Sequence, residues 1–545
     1  MKKEKWLLLA VVLYLLVNIS GLFIPLVINA AKYAQVGREM IDNRDWVNLT
    51  IGGDAYDQKP PLLFWIAAIV FRLSGVSVIA YKIAVLLVSL AGIYGTFKLA
   101  ELFYGRKTGI LSAVFFATCL GYAHFHNDIH TDTLLIVPVI LSVWQYAACF
   151  KRNKNYQFYL GTVFAGLGML AKGPVSIVII GSAVGLHLLL TRNYSAIISY
   201  RWLIALPIVL LLTIPALLGL YGQFGLEGIE FFFWTNNFGR ITGSYSGSNT
   251  DPFFYLHTTL YMMAPWAIFS FTGIFMQIRE KIQKKPNLGE PVEFYTLGAI
   301  LFYLLIVSVA KAKYPHHEMA ILPFLAIIGA RWAIRIFEEP GWVKTRKILG
   351  YLHVFIGSAL LMLPYMFLVW FFPETKILIW VVVLSLTGAF IFVMTWKNSL
   401  NKQLTCLLIA ISMFMFVLNT NIMPHVSQYH STFEACRIFN EQAKDNEKLH
   451  IYNEEARFWD IFLYSKNYGR YMITPEDFKR ISPPVNDWLF TGQEGIKELK
   501  EMNVKADTIG ILPFNSMSRM SIKFLNPKTR DAKLKTCYLL RIREK

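Results

Sequence analysis

Apolar residues in this chain gather into runs of about 18–25, separated by short polar junctions. That is the length a helix needs to cross a hydrocarbon core of about 30 Å. About thirteen runs qualify, near 6–28, 77–103, 109–125, 133–150, 157–171, 174–191, 202–220, 256–278, 293–310, 318–336, 348–372, 376–395 and 403–421. The first follows Met1-Lys2-Lys3-Glu4-Lys5. It is too long for the apolar stretch of a signal peptide, and no small-residue cleavage site closes it. It therefore reads as an uncleaved first span with its N-terminus in the cytoplasm.

The polar junctions test that reading. With the N-terminus inside, Arg106/Lys107, Lys151/Arg152/Lys154, Arg192/Arg201, Arg279/Lys281/Lys284/Lys285, Arg331/Arg335/Lys344/Arg346/Lys347 and Lys397/Lys402 all fall on the cytoplasmic side. The outer junctions are poorer in base. The alternation also settles the stretch 61–73, which is apolar but little more than three helical turns long. If it spanned, every later assignment would invert, so it is expected to lie along the outer membrane surface. Residues 33–43 read as a second surface helix in the same outer loop, 29–76, and a further long outer loop covers 221–255.

From about Asn421 the pattern changes. Helical patterns at 432–444, 455–466 and 493–502 alternate with strand-like pieces at 449–453, 488–491, 508–512 and 537–542. The expected architecture is a polytopic α-helical membrane domain, 1–421, followed by a small α/β domain, 422–545. An odd number of spans puts the second domain outside the cytoplasm. No short-period or inverted repeat is evident.

Composition agrees with a membrane protein: 55% of 545 residues are hydrophobic, 15% aromatic and only 16% charged. The formal charge of +18 would suit nucleic acid, but the Lys and Arg sit in the junctions where topology requires them, so no nucleic-acid partner is expected. Cys119, Cys149 and Cys406 fall in apolar runs; Cys436 and Cys537 fall in the polar tail, where two cysteines could pair if the tail is outside.

Basic residues on the outer face break the trend, and each needs a reason. Lys59 stands in Gln58-Lys59-Pro60-Pro61, where two prolines fix the backbone. Lys172 stands in the tight turn Ala171-Lys172-Gly173-Pro174, Arg240 in the outer loop after Trp234, and Lys311 and Lys313 in KAKYPHHE. Snorkelling to lipid phosphates would account for any one of them. Five on one face, three beside rigid Pro or Gly turns, point to a site for an anionic, phosphate-like group. Acids share the face. Asp128 and Asp132 are four apart, on one side of a helix if the stretch is helical, and either could be a general base or orient one. Asp132 could equally be the N-cap of the next span. The alternating His124, His126 and His130 could bind a divalent cation if extended, although tetrahedral spacing is not evident and no cofactor is otherwise indicated. Asp54 and Asp57 read as solvated loop acids. A phosphate site beside carboxylates at the outer surface suits transfer of a sugar from a polyprenyl phosphate: a base takes the acceptor proton and cations receive the departing phosphate.

These residues resemble a known family. The first outer loop (KYAQVGREM…DWVNLTIGGDAYDQKPPLLFW), TDTLL after the third span, LAKGP, FFFWTNNFGRITG, the APW at 264–266 and KAKY are similar to the membrane glycosyltransferases of the GT-C fold, in the branch of protein O-mannosyltransferases and lipid A aminoarabinose transferases. The loop through QKPPL is the most specific of these marks. The resemblance runs along nearly the whole chain. It implies an inverting transfer in a bacterial inner membrane, from a polyprenyl-phosphate sugar to a lipid, protein or glycan acceptor. Tyr33, Arg38, Tyr56 and His130 are then candidate acceptor or substrate contacts. One departure matters. The family usually opens the first outer loop with an Asp-Glu pair, four residues before the tyrosine matching Tyr33; here Asn29 and Ala30 stand there. Asn is nearly isosteric with Asp but takes no proton at neutral pH. Either the base has moved, to Asp132 or Asp128, or the activity is lost or changed. The competing classes are a silent relative that binds a lipid-phosphate sugar, and a transporter. Against the latter, no paired broken helices occupy matching positions in two halves.

Overall fold

The computed structural model describes residues 5–244, 249–282, 292–453, 458–517 and 520–544. The predicted inner cations at 284–285 fall outside these residues, and so does the side chain of Arg240. Each predicted span is wholly or mostly helical, and the length and apolarity of these helices make the chain a polytopic membrane protein. Seven helices among the described residues are long and apolar enough to cross a membrane, with shorter apolar helices at Trp6–Gly21, Leu62–Ser74, Val175–Leu190 and Tyr295–Val309.

Burial sorts them. In Thr131–Arg152 and Pro315–Glu338, 89% of the apolar window is enclosed by protein; in Val343–Phe371 and Ile377–Met394 the share is 22%. The first two therefore form the centre of the bundle and the last two its rim. Sequence reading separates spans 77–103 and 109–125, whereas the structure runs them into Val78–Thr118 with a break at Gly105, where φ is 81°. Glycine adopts that angle without a Cβ clash. The predicted span 256–278 is split into Phe254–Met262 and Ala267–Ile282, because Pro265 cannot continue a helix. Inside Val78–Thr118, Lys82 is buried and donates to the carbonyls of Gly21 (3.0 Å) and Ile24 (2.7 Å). The ammonium thus meets carbonyls at and just beyond the end of the first helix, where it joins the Ile24 amide on Gly21 O.

The segment between the first helix and Val78–Thr118 is built around one buried acid. Glu39, on the helix Ile28–Asp42, accepts from Thr50 Oγ1 (2.8 Å) and from the amides of Gly52 (2.7 Å) and Gly53 (3.2 Å). These bonds hold a small hairpin of β1 (Thr50–Ile51) and β2 (Asp54–Ala55). The prolines at 60 and 61 then start Leu62–Ser74. At 13 residues this helix is about 20 Å long, short of a full crossing. It packs Leu63, Phe64, Ala67, Ala68 and Phe71 inward, partly on Ile28–Asp42.

The C-terminal part is a five-stranded sheet of β3 (Leu449–Tyr452), β4 (Tyr468–Met472), β5 (Trp488–Gly492), β6 (Lys505–Phe514) and β7 (Lys535–Glu544), in the order β4-β3-β5-β7-β6. β3 is parallel to β4 and β5; β7 is antiparallel to β5 and β6. β4, with exposed and half-buried positions, is not among the strands expected from the sequence. Cys436 and Cys537 are buried in this part and form no disulfide, contrary to the pairing the sequence allowed. Arg38 docks the two parts. Its guanidinium donates to the carbonyls of Phe462 (2.8 Å), Leu463 (3.2 Å), Ser465 (2.9 Å) and Lys466 (3.0 Å), at the C-terminal end of Trp459–Tyr464. Tyr464 Oη accepts from the Leu26 amide at 2.7 Å, and Arg470 Nη1 donates to Gly52 O at 3.0 Å.

Candidate functional site

Thr131–Arg152 and Asn155–Lys172 form an antiparallel pair joined by a short turn, so the start of one meets the end of the other. Asp132 sits in the first turn of the former and Lys172 in the last turn of the latter. Each charge suits its end of the helix dipole. They meet in an ion pair between Lys172 Nζ and Asp132 Oδ1, with side chains 10% and 3% exposed. Gly173 ends the second helix at φ 86°, and a Cβ there would stand 3.2 Å from Phe232. The Ala-Lys-Gly-Pro turn thus delivers the ammonium to the carboxylate.

Histidines surround the pair. Pro315–Ile321 brings His316 to a ring separation of 5.0 Å from His130. His317 Nδ1 lies 3.1 Å from Tyr255 Oη, and Tyr303 Oη donates to the His317 carbonyl at 2.9 Å. His130 Nε2 is 3.2 Å from Asp128 Oδ2. Burial pushes the Asp128 carboxyl up; His130, with His124 and Lys82, outweighs this and holds it below the usual carboxylate range. Ligand atoms of His130, Asp132 and His316 lie within 4.8 Å of one another, as a divalent cation would require. The fit is poor, because the Lys172 ammonium is already on Asp132 and His130 is already hydrogen-bonded to Asp128.

Of the five cations expected on the outer face, two converge. Lys59 and Lys172 line one cavity of about 190 Å³ with Asn236, Asn237, Tyr303 and His317. Pro174, Val178 and Phe233 belong both to this cavity and to an apolar groove of about 740 Å³ along Asn155–Lys172, Val175–Leu190 and Arg201–Glu230. Lys313 instead donates to the Asp251 carbonyl at 2.7 Å, and Lys311 is exposed. Neither joins Lys59 as the sequence pattern suggested, because the segment carrying them is tied to the loop at 249–251. Arg240 lies on Asn236–Thr242, and its side chain is outside the described residues.

The acceptor candidates divide in the same way. Tyr33 is buried and stands edge-on to His130, with ring centroids 6.1 Å apart. Tyr56 is buried against Phe64 at 5.7 Å. The Lys32 ammonium lies over both tyrosines, 5.6 Å and 5.4 Å from their centroids, and donates to Gln58 Oε1 at 3.0 Å. Arg38 is removed from the acceptor set: its donors are spent on the C-terminal part. Asn29 is half-buried in the first turn of Ile28–Asp42, one turn before Tyr33 and on its face. Sequence reading missed Lys32, His316, His317 and Asn236. The histidines carry a signal in KAKYPHHE, where two adjacent imidazoles follow a proline at the end of an apolar span.

With a central helical bundle, a long loop of two short helices and a small C-terminal sheet, this chain has a GT-C fold. The family model described as dolichyl-phosphate-mannose-protein mannosyltransferase matches residues 58–218. The chain is 25% identical over 362 residues to the undecaprenyl phosphate-alpha-4-amino-4-deoxy-L-arabinose arabinosyl transferase of Edwardsiella ictaluri, an alignment covering 65% of this chain and 63% of that one. It thus spans under two thirds of that relative's length. Over 98% of both chains it superimposes on ArnT from Cupriavidus metallidurans bound to undecaprenyl phosphate, with a TM-score of 0.74 and 14% identity. Oligosaccharyltransferase AglB from Archaeoglobus fulgidus, in complex with an inhibitory peptide and a dolichol-phosphate, matches 90% of this chain and 70% of its own at a TM-score of 0.50 and 10% identity.

Proposed function

We propose that the protein transfers a sugar from a polyprenyl-phosphate donor to an acceptor hydroxyl on the extracytoplasmic face of a bacterial inner membrane, with inversion at the anomeric carbon. One observation carries this reading: two lysines, Lys59 and Lys172, line a largely apolar cavity that shares Pro174, Val178 and Phe233 with a long apolar groove. That is the shape and charge of a phosphate on a lipid tail. The solved relatives that hold undecaprenyl phosphate and dolichol-phosphate support it. In the transfer, the acceptor oxygen bonds to the anomeric carbon as the bond from that carbon to the phosphate oxygen breaks. The electron pair leaves with the phosphate, towards Lys59 and Lys172, and the hydroxyl proton passes to a carboxylate, for which Asp132 is the candidate and Asp128 the support. An arriving phosphate competes with Asp132 for the Lys172 ammonium, so donor binding uncovers the base.

Native mass spectrometry of the protein in lipid nanodiscs, titrated with undecaprenyl phosphate, tests the donor site. Lys59→Ala should weaken binding by about 1–3 kcal/mol, the worth of one charge-assisted hydrogen bond. Unchanged binding would remove Lys59 from the site. Asn29 and Ala30 favour a second reading, a silent relative that binds the donor without transferring its sugar. Donor binding without glycosylated product from any polyprenyl-phosphate sugar would select it.

A further inference from the structure

A second cavity, of about 260 Å³, lies between the first outer loop and the C-terminal part. The loop contributes Lys32, Asp54, Tyr56, Asp57 and Gln58; the C-terminal part contributes Trp459, Tyr471, Asp477 and Arg480. The Trp459 and Tyr471 rings stand 5.6 Å apart and tilted by 34°, forming one aromatic wall. The wall is fixed: Arg470 clamps the hairpin at Gly52, and Gly52 is so close that a Cβ would sit 3.4 Å from Trp459.

The charges say what fits. Three carboxylates face two cations, and both cations are engaged, Arg480 with Asp477 (2.7 Å) and Lys32 with Gln58 (3.0 Å). A phosphate is therefore disfavoured here, in contrast to the donor cavity. An acyl chain is disfavoured too, because six of the twelve lining side chains are charged or amide. The volume falls below the roughly 300–1,000 Å³ of sites for drug-sized ligands. What matches is a small molecule with an apolar C–H face for an aromatic wall and hydroxyls that donate to carboxylates.

We infer that this cavity holds a saccharide unit of the acceptor, stacked on the half-buried Tyr471 ring, which the buried Trp459 backs, and hydrogen-bonded to Asp54 and Asp57. The inference rests on the transfer reading and names its acceptor class. Position supports it. Gln58 lines this cavity, and its carbonyl accepts from Asn236 (3.1 Å), which lines the donor cavity beside Lys59. A sugar bound here stands one residue from the donor phosphate.

Saturation-transfer NMR on the full chain in nanodiscs tests it, with chitobiose, cellobiose and digalacturonate as saccharide probes and an acetylated Ala-Thr-Ala amide as peptide probe. At least one saccharide should receive saturation at its ring C–H protons. Asp57→Ala and Tyr471→Ala should each weaken that binding by about tenfold or more while retaining undecaprenyl phosphate binding, which shows that the variants fold. Three outcomes overturn the inference: no saccharide saturated, binding of the peptide alone, or saccharide binding unchanged in both variants. Saccharide binding in a protein that fails to bind undecaprenyl phosphate would instead overturn the transfer reading and leave this a carbohydrate site.

Discussion

The Lys172–Asp132 pair makes a quantitative test of the site. Lys172→Met removes the ammonium and leaves a carboxylate whose side chain is 3% exposed. Removing one partner of a buried pair costs about 3–5 kcal/mol, because the remaining charge loses its compensation. Two features reduce this. The carboxylate keeps the helix N-terminus, worth about 0.3–1 kcal/mol. His130 and His316, with ligand atoms within 4.8 Å, can also reorient towards it. The expected loss is therefore about 2–4 kcal/mol. Asp132→Asn should cost at least as much, since the Lys172 ammonium then stands in a cavity with Lys59 as its charged neighbour. The double variant Lys172→Met/Asp132→Asn should cost less than the sum by about 0.5–3 kcal/mol, the range for residues in direct contact. The assay is equilibrium unfolding of the four proteins in mixed micelles. Additive losses, or singles within about 0.5 kcal/mol of wild type, would refute the pairing.

Two other predictions concern architecture. Arg38→Ala should loosen the C-terminal part, because four carbonyls at the end of Trp459–Tyr464 lose their donor. Faster limited proteolysis at the junction near residue 430 is expected, with acceptor KM within about twofold, less than 0.5 kcal/mol; a large KM change with unchanged proteolysis would return Arg38 to the acceptor site. A phosphatase reporter fused after Ser427 should be active if the C-terminal part is extracytoplasmic, and an inactive fusion would invert the topology.

The bundle was legible because its signal is one-dimensional: a span must be long and apolar, and its flanks must carry the right charge. β4 was not, since a strand with mixed exposure lacks a clean alternation. For the site, sequence marked Lys59, Lys172 and Asp132 through their rigid turns and helix ends. It could not separate them from Lys311 and Lys313, because which cations converge depends on how the loop near 249–251 ties back to the segment at 311–313. Arg38 misled for a related reason. A basic residue in an outer loop looks like a ligand contact until the helix end that it caps is known, and that end lies more than 400 residues away in sequence.

The position of Asn29 bears on the base. Transfer to a hydroxyl gains about 10²–10⁴-fold from general-base assistance. Asn29 offers an amide, which holds an acceptor but takes no proton. Asp132 offers a carboxylate paired with Lys172, which lines the cavity shared with Lys59. On this reading Asp132→Asn should abolish transfer, leaving donor binding intact because Lys172 is released to the phosphate. Asn29→Asp should preserve or raise it. The fold accepts that substitution: the residue is half-buried, in the first turn of a helix where an acid is favoured, and three residues before Lys32 on the same face. Product formation from a synthetic polyprenyl-phosphate sugar, followed by mass spectrometry, measures both. If Asp132→Asn transfers as well as wild type, Asp132 is not the base. If Asn29→Asp alone is active, the catalytic acid of this fold belongs at position 29, and the natural chain is a binding protein.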